Sequence, residues 1–307
     1  MVGLRYLRAK QKNSFVSFIS LVSIIGIALG VAALITVLSV MNGFQKEIRN
    51  KMIGVTAHMQ ITSASNSISD WRALGKLALQ NKNILNYAPY IDGQALVSFD
   101  GSVSGALIRG VDATYEPKVD DITQAIIAGS FASLNQESFN IVIGKDLAHQ
   151  LGAGIGDKIT LITPDGNVSP VGMTPRLKQF TITGLFDTHM QQYDSGLIFI
   201  GLKQAQILFK VPDSVTGVRL KVNDVLQTQS IKEQLYAALP GDLIVQDWMS
   251  QNQNYFSAVA LEKKMMFVIL SLIIAVAAFN LVSTLVMTVN DKKADIAILR
   301  TMGASQT

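Results

Sequence analysis

Cysteine does not occur in this chain of 307 residues, and histidine occurs only at His58, His149 and His189. Without cysteine there is no disulfide and no thiolate nucleophile, an absence compatible with an oxidising or a reducing compartment. The histidines lie apart, and none has a second ligand at zinc-site spacing. His149, in KDLAHQLGAG, reads as a partly exposed helical histidine. No G-x-S-x-G elbow, Walker loop or dinucleotide fingerprint is present; LGAGIGD is glycine-rich but follows a short helix instead of opening one. The adjacent Asp120 and Asp121, in VDDITQ, read as a turn or a helix cap. Nothing in the chain points to catalysis or to a cofactor of its own.

Charge is scarce too: 16% of residues are Asp, Glu, Lys or Arg, against roughly a quarter in soluble proteins. The deficit is concentrated. Residues 13–45 and 265–290 contain no Asp, Glu, Lys, Arg or His. About 20 apolar residues cross a hydrocarbon core of roughly 30 Å, so both runs are read as transmembrane helices. A signal peptide would have a shorter apolar region followed by a small-residue cleavage site, and the uncharged stretch 15–40 fits neither requirement. Neither span holds an ionisable group, which argues against a carrier powered by its own ion or proton coupling. Asn280, in the second span, can bond across helices or back to its own.

The net charge of +4 is mild, and no basic stripe interleaved with aromatics suggests nucleic acid. The placement of charge is more informative. Arg5, Arg8, Lys10 and Lys12 precede the first span, and the first acidic residue is Glu47. This bias holds the N-terminal end, 1–12, in the cytoplasm or at the interface as a short helix. Two spans return 291–307 to that side, where Lys292, Lys293 and Arg300 agree, and place 46–264 outside. In the first span GIALG sets Gly26 and Gly30 at small-xxx-small spacing. Ser14, Ser17, Ser20 and Ser23 recur beside it, either lining a helix contact or bonding to their own backbone.

The outer segment reads as α+β. TAHMQITS is a strand, and Asp70 caps an amphipathic helix in SISDWRALGKLALQN. QALVSFDGSVSGALIRGVD is a hairpin turning at Asp100-Gly101. NIVIGKDLAHQLGAGIGDKITLITP gives strand, short helix, glycine turn and strand. QFTITGLFD, GLIFIGL and TGVRLKV are strands; KQAQILF and LQTQSIKEQLYAAL are helices. DWMSQNQNYFSAVALEKK runs as a helical stalk into the second span. No linker or internal repeat separates these elements, which leaves one domain or two closely joined subdomains.

Two segments stand out. Residues 163–179, TPDGNVSPVGMTPRLKQ, carry Pro164, Pro170, Pro175, Gly166 and Gly172, with neither strand alternation nor a helical stripe. A long loop is expected, and prolines that fix φ near −65° favour a shaped protrusion over a disordered insertion. The tail NDKKADIAILRTMGASQT sets Ile296, Ala297, Leu299 and Arg300 after Asp291 and Asp295 at helical spacing. A short amphipathic helix there can receive force from a soluble partner or simply anchor at the interface.

LRYLRAKQKNSFVSFISLVSIIGIALGVAALITVLSVMNGFQKEI and VGMTPRLKQFTITGLF resemble the LolC/LolE permeases, the transmembrane subunits of the lipoprotein-releasing ABC transporter. DKKADIAILRTMGAS resembles the coupling helix of the wider superfamily shared with MacB and FtsX, with Ile296, Ile298, Leu299, Arg300, Gly303 and Ala304 matching I-x-I-L-R-x-x-G-A. The likeness extends over essentially the whole chain. It implies a membrane protein with an α-helical transmembrane region and a large MacB-like α+β periplasmic domain of porter and sabre parts. It also implies a Gram-negative inner-membrane location and a truncated form of a four-helix permease.

The resemblance further implies a non-catalytic subunit working with a LolD-like ATP-binding dimer, which binds ATP and magnesium. A second permease, LolE-like or a copy of this chain, completes the membrane part. Triacylated lipoproteins are lifted out of membrane lipid and passed to a LolA-like periplasmic chaperone. On this likeness 163–179 is a chaperone-docking hook, with contacts at Pro170, Val171, Gly172, Met173, Thr174 and Pro175 and with Arg176 and Lys178 nearby for an acidic rim. Acyl chains are expected against Val37, Val40 and Met41 of the first span, faced by Met265, Met266 and Ile269 of the second. The intact proline pattern favours a LolC-like or combined LolC/LolE-like subunit. A MacB- or FtsX-like mechanotransmission subunit for efflux or cell-wall hydrolase control is a second reading, and a two-span periplasmic sensor without transport is a third.

Overall fold

The computed structural model describes residues 14–55, 57–169, 172–225 and 227–303. They form two units, a helical one drawn from both ends of the chain and a domain, Glu47–Gln253. Helix α1 runs unbroken over Ser14–Val55, because its sequence contains no proline to interrupt the hydrogen-bond ladder. Its last turns, from Glu47 onwards, belong to the domain.

The domain continues with β1 (Met59–Ser63), α2 (Trp71–Ala78), β2 (Ile84–Phe99), β3 (Ser102–Val111), β4 (Ile126–Gly129) and β5 (Asn140–Gly144). Then come α3 (Lys145–Leu151), β6 (Lys158–Ser169), β7 (Gly172–Phe186), α4 (Gln191–Asp194), β8 (Leu197–Gly201) and α5 (Leu202–Phe209). It ends with β9 (Gly217–Val222), α6 (Thr228–Ala238), β10 (Leu243–Asp247) and the single turn α7 (Trp248–Gln251). Helices α8 (Gln253–Asp291) and α9 (Lys293–Thr301) follow.

Local chemistry accounts for several of these elements. Asp70 accepts from the Ala73 N–H at 2.9 Å and caps α2, satisfying a donor that the first helical turn leaves unpaired. Asp100 and Gly101 have φ of 45° and 83°, the two positive values that a two-residue hairpin turn between β2 and β3 requires. Gly75 lets α2 approach closely: a Cβ there would stand 2.2 Å from the Tyr87 ring. Tyr87 packs edge-to-face with Trp71 and at a tilt with Tyr115, which itself meets Trp71 edge-to-face.

Strand β2 organises the sheet. Its first half pairs with β9, beyond which lie β1 and then β10. Its second half lies between β3 and β6. From β3 the pairings run through β8, β5, β7 and β6 back to β2, so six strands close a ring. Closure removes the free edges that an open sheet would expose. β3–β8 and β5–β7 are the parallel pairs. β5 and β8 are buried along their whole length, as their continuous apolar runs NIVIG and LIFIG require.

One hydrophobic cluster joins the two regions. It takes in Ile61, Val218, Leu220 and Val245 with Leu74, Ala78, Ile231 and Leu235 of α2 and α6, and continues through Ile108, Ile141, Ile159, Phe180 and Ile182. A second cluster around Phe131, Phe186 and Phe199 seals the β5–β8 side. The main core runs continuously through both regions, and Glu47–Gln253 forms one compact unit.

In the helical unit α1 and α8 meet along one seam. Its less exposed positions are Ile27, Gly30, Leu34, Leu38, Met41 and Gln45 on α1, and Glu262, Met266, Leu270, Ile273, Ala277, Asn280, Thr284 and Met287 on α8. The three- and four-residue steps keep these positions on one side of each helix. Gln45 donates to Glu262 at 3.2 Å at one end. Outside the seam, large apolar side chains such as Phe18, Leu29, Phe267 and Phe279 are exposed. Both helices are long and apolar enough to cross a membrane. The expected stalk breaks once, at Asn252 between α7 and α8, before running on without interruption.

Candidate functional site

Residues 163–179, expected as a loop, are instead mostly a two-stranded antiparallel ribbon. β6 and β7 pair from Lys158↔Thr181 to Ser169↔Gly172, while β2 accompanies β6 only as far as Ile162. The ribbon thus continues beyond the ring. Its irregularity lies at the prolines: residues 164–166 of β6 face the single Pro175 of β7, between the pairs Thr163↔Arg176 and Asn167↔Thr174. Proline has no N–H for a ladder, so it is tolerated where pairing is interrupted. This is why the stretch does not look like strand in sequence.

Of the expected docking residues, Pro170 and Val171 lie outside the described residues. Gly172, Met173 and Thr174 stand opposite Ser169, Val168 and Asn167. Pro175 is exposed at the ribbon root. Arg176 and Lys178 have partners within the chain. Arg176 donates to the Leu208 carbonyl at 3.2 Å, at the end of α5. Lys178 places its ammonium 4.0 Å from the centre of the Phe139 ring. At the root a cleft of about 610 Å³ is lined by Leu96, Leu107, Ile162, Pro164 and Pro175, among others. Leu177, 64% exposed, extends this apolar surface across β7, since it pairs with Ile162, and Ile162 with Leu96.

The tail forms α9, set off from α8 at Lys292. Ile296, Ile298 and Leu299 are exposed, Ile298 by 59%, and Arg300 is exposed beside them. Gly303 ends the segment with φ of 94° and donates to the Arg300 carbonyl at 3.0 Å. A left-handed glycine just past a helix is a usual stop signal. Ala304 lies outside the described residues.

The six residues expected to meet acyl chains share one side of each helix by spacing, at i, i+3 and i+4 on α1 and i, i+1 and i+4 on α8, but differ in exposure. Met41 and Met266 lie on the α1–α8 seam, whereas Val37, Val40, Met265 and Ile269 are exposed. Gly26 and Gly30 border a cleft of about 370 Å³ that includes Asn280, Ile273 and Ala277. The Asn280 backbone carbonyl accepts from Thr284 Oγ1 at 2.9 Å within its own helix.

Sequence reasoning missed a buried charge cluster. Arg219 of β9 pairs with Glu116 and, at 3.0 Å, with Asp120. All three side chains are almost completely buried. The available signal was Arg219 itself, a lone charge in the otherwise apolar half of GVRLKV. Asp120, read as a turn residue, does accept from the Ile122 N–H at 3.2 Å, but its second oxygen faces the arginine.

The class of structure is a mixed α/β domain in a chain whose two flanking helices are long and apolar enough to cross a membrane. The family model for the MacB-like periplasmic core domain matches residues 20–238. A lipoprotein-releasing system transmembrane protein LolC from Neisseria meningitidis serogroup B is 49% identical over 99% of this chain and 74% of its own length. A LolC from Xylella fastidiosa is 43% identical over 99% and 73%, and a LolE from Haemophilus influenzae is 35% identical over 99% and 74%. The chain belongs to the LolC/LolE family of lipoprotein-releasing system transmembrane proteins, within the MacB/FtsX superfamily.

Proposed function

We propose that this chain is the non-catalytic permease subunit of an ATP-driven machine that lifts outer-membrane-directed lipoproteins out of the inner membrane. The observation that carries the reading is its alignment, nearly end to end, with the lipoprotein-releasing relatives. In this reading α1 and α8 span the membrane, the N-terminal end and α9 face the cytoplasm, and Glu47–Gln253 lies in the periplasm. Exposed Ile296, Ile298, Leu299 and Arg300 receive force from a separate ATP-binding dimer, which holds ATP and magnesium. A second permease, of the same or a related kind, completes the membrane part.

The β6–β7 ribbon serves as the docking hook for a soluble periplasmic chaperone. A paired ribbon supports the role physically, because its backbone is already ordered and less entropy is lost on binding. Residues 170–175 make the contact, with Arg176 and Lys178 shaping the root through Leu208 and Phe139.

The test is ATP-dependent release of a triacylated lipoprotein from proteoliposomes containing this chain, its partner permease and the ATPase. Release into solution is expected only when the chaperone is present. Replacing 170–175 with a Gly/Ser linker should abolish release and leave ATP hydrolysis in place. Unimpaired release by that variant would reject the hook, and ATP hydrolysis without any lipoprotein release by the wild type would reject the function.

A further inference from the structure

The Glu116–Asp120–Arg219 cluster lies where α1 joins the sheet. Arg219 is central in its strand pairings, opposite Gln60 of β1 and Ala88 of β2. Alternation along β9 puts its side chain on the face opposite Val218 and Leu220, which pack in the apolar core. Glu116 and Asp120 cover that face from the segment after β3. Arg109 of β3, the neighbouring cation, is held by two hydrogen bonds from Nε and Nη2 to Asp92 of β2, at 2.8 and 2.9 Å. Tyr90 of β2 completes the surroundings, its ring 5.9 Å from the Arg109 guanidinium carbon and its hydroxyl on Gln60.

The charges do not balance. Arg219 and Arg109 face Glu116, Asp120 and Asp92, so one negative charge is left in a buried site. Glu116 Oε2 is buried without a hydrogen-bond partner, and Asp120 Oδ2 is near Arg219 but not aligned to bond it. An uncompensated buried charge is costly, and a proton on one carboxyl removes it. The residue after this pair reaches α1: the Asp121 N–H donates to the Gly54 carbonyl at 3.0 Å. Asp121 also has Lys221 at 3.9 Å on the rim.

We propose that Glu116, Asp120 and Arg219 form a proton-operated latch that fixes the domain end of α1 to the sheet. With a proton on Glu116 the cluster is neutral, and Asp121 is held in position to bond Gly54. Loss of that proton leaves a buried negative charge. The turn carrying Glu116 to Asp121 shifts to hydrate it, and the bond to Gly54 opens. Ile122, fully buried, keeps the segment beyond the turn seated, so the change is local. Burial is the main reason Glu116 is pushed up to about 8, with Arg219 opposing and Asp120 adding to the rise.

Hydrogen–deuterium exchange on the full chain in lipid nanodiscs tests this, with rates corrected for intrinsic pH dependence. The Val119, Asp120 and Asp121 amides are expected to lose protection by about tenfold between pH 6 and pH 9, the span that crosses the titration. Glu116→Gln should stay protected at pH 9. If that variant does not fold, Asp120→Asn provides the same test, since one carboxylate then remains for Arg219. Equal wild-type protection at both pH values would overturn the latch, as would a pH response in the folded variant matching the wild type.

Discussion

Met59, the first residue of β1, stands directly opposite Asp247, the last residue of β10. The chain therefore enters the domain from α1 and leaves it towards α8 at the same end of one strand pair. The junction is tied again by the Trp248 N–H, which donates to the His58 carbonyl at 3.1 Å. His58 itself is buried, and its Nδ1 lies 3.2 Å from the Val222 N–H. Burial holds its pKa below the ordinary value, and the nearby Lys221 acts in the same direction.

Asp247 caps α7 by accepting from the Ser250 N–H at 2.9 Å, and it also accepts from Thr228 Oγ1 at 3.2 Å. Asp247→Ala is expected to lower stability by about 1–2 kcal/mol, the usual cost of losing a cap. Burial pushes this carboxyl up, but the bonds from Ser250 and Thr228 outweigh it and leave the pKa below 3.8. A lowered pKa contributes stability above the unfolded value and loses it as the pH falls through the folded one. Thermal unfolding should show the wild-type advantage over Asp247→Ala shrinking below about pH 4.

Trp248 is buried, and its Nε1 donates to the Val225 carbonyl at 3.0 Å. Trp248→Ala should destabilise the domain by about 3–5 kcal/mol through the cavity it leaves. Trp248→Phe, which keeps much of the ring, should cost less. Denaturant unfolding monitored by the domain's far-UV signal measures both.

The ribbon register can be checked directly, because the chain has no cysteine of its own. Asn167 and Thr174 are paired, and paired residues lie about 4.5–5.5 Å apart at Cα, within disulfide reach. Asn167→Cys with Thr174→Cys should oxidise readily and resist maleimide labelling. Asn167→Cys with Met173→Cys, one step out of register and on opposite faces, should stay reduced.

Exposed Leu299 and Arg300 on α9 should matter to the complex and not to the domain. Leu299→Ala combined with Arg300→Glu is expected to weaken ATPase co-purification at least about tenfold, or roughly 1.4 kcal/mol. The unfolding midpoint of the periplasmic domain should not change. Unchanged co-purification would remove α9 from the coupling role.

Local signals were the readable ones. The charge-free runs, the Asp70 cap and the Asp100-Gly101 turn each act within a few residues, and the structure has all of them. The ribbon was hidden because Pro164 and Pro175 sit where its ladder is interrupted, which erases strand alternation in the sequence. The Glu116–Asp120–Arg219 cluster is hidden for a different reason: Glu116 and Arg219 are 103 positions apart, and only the strand order brings them together. Val37 and Met41 are one helical turn apart and share a side of α1, yet Met41 is half-buried and Val37 exposed, a difference that no local signal carries.

The ring of six strands gives the ribbon a stiff mounting. Some six residues project on each side past Ile162, which at about 3.3 Å per residue is an arm of about 20 Å. A tilt of the domain by about 10° would sweep the tip through about 3–4 Å, as much as a residue's advance along a strand. A small rotation at the base is thus geared into a larger displacement at the end of the arm, with no hinge needed in the arm itself.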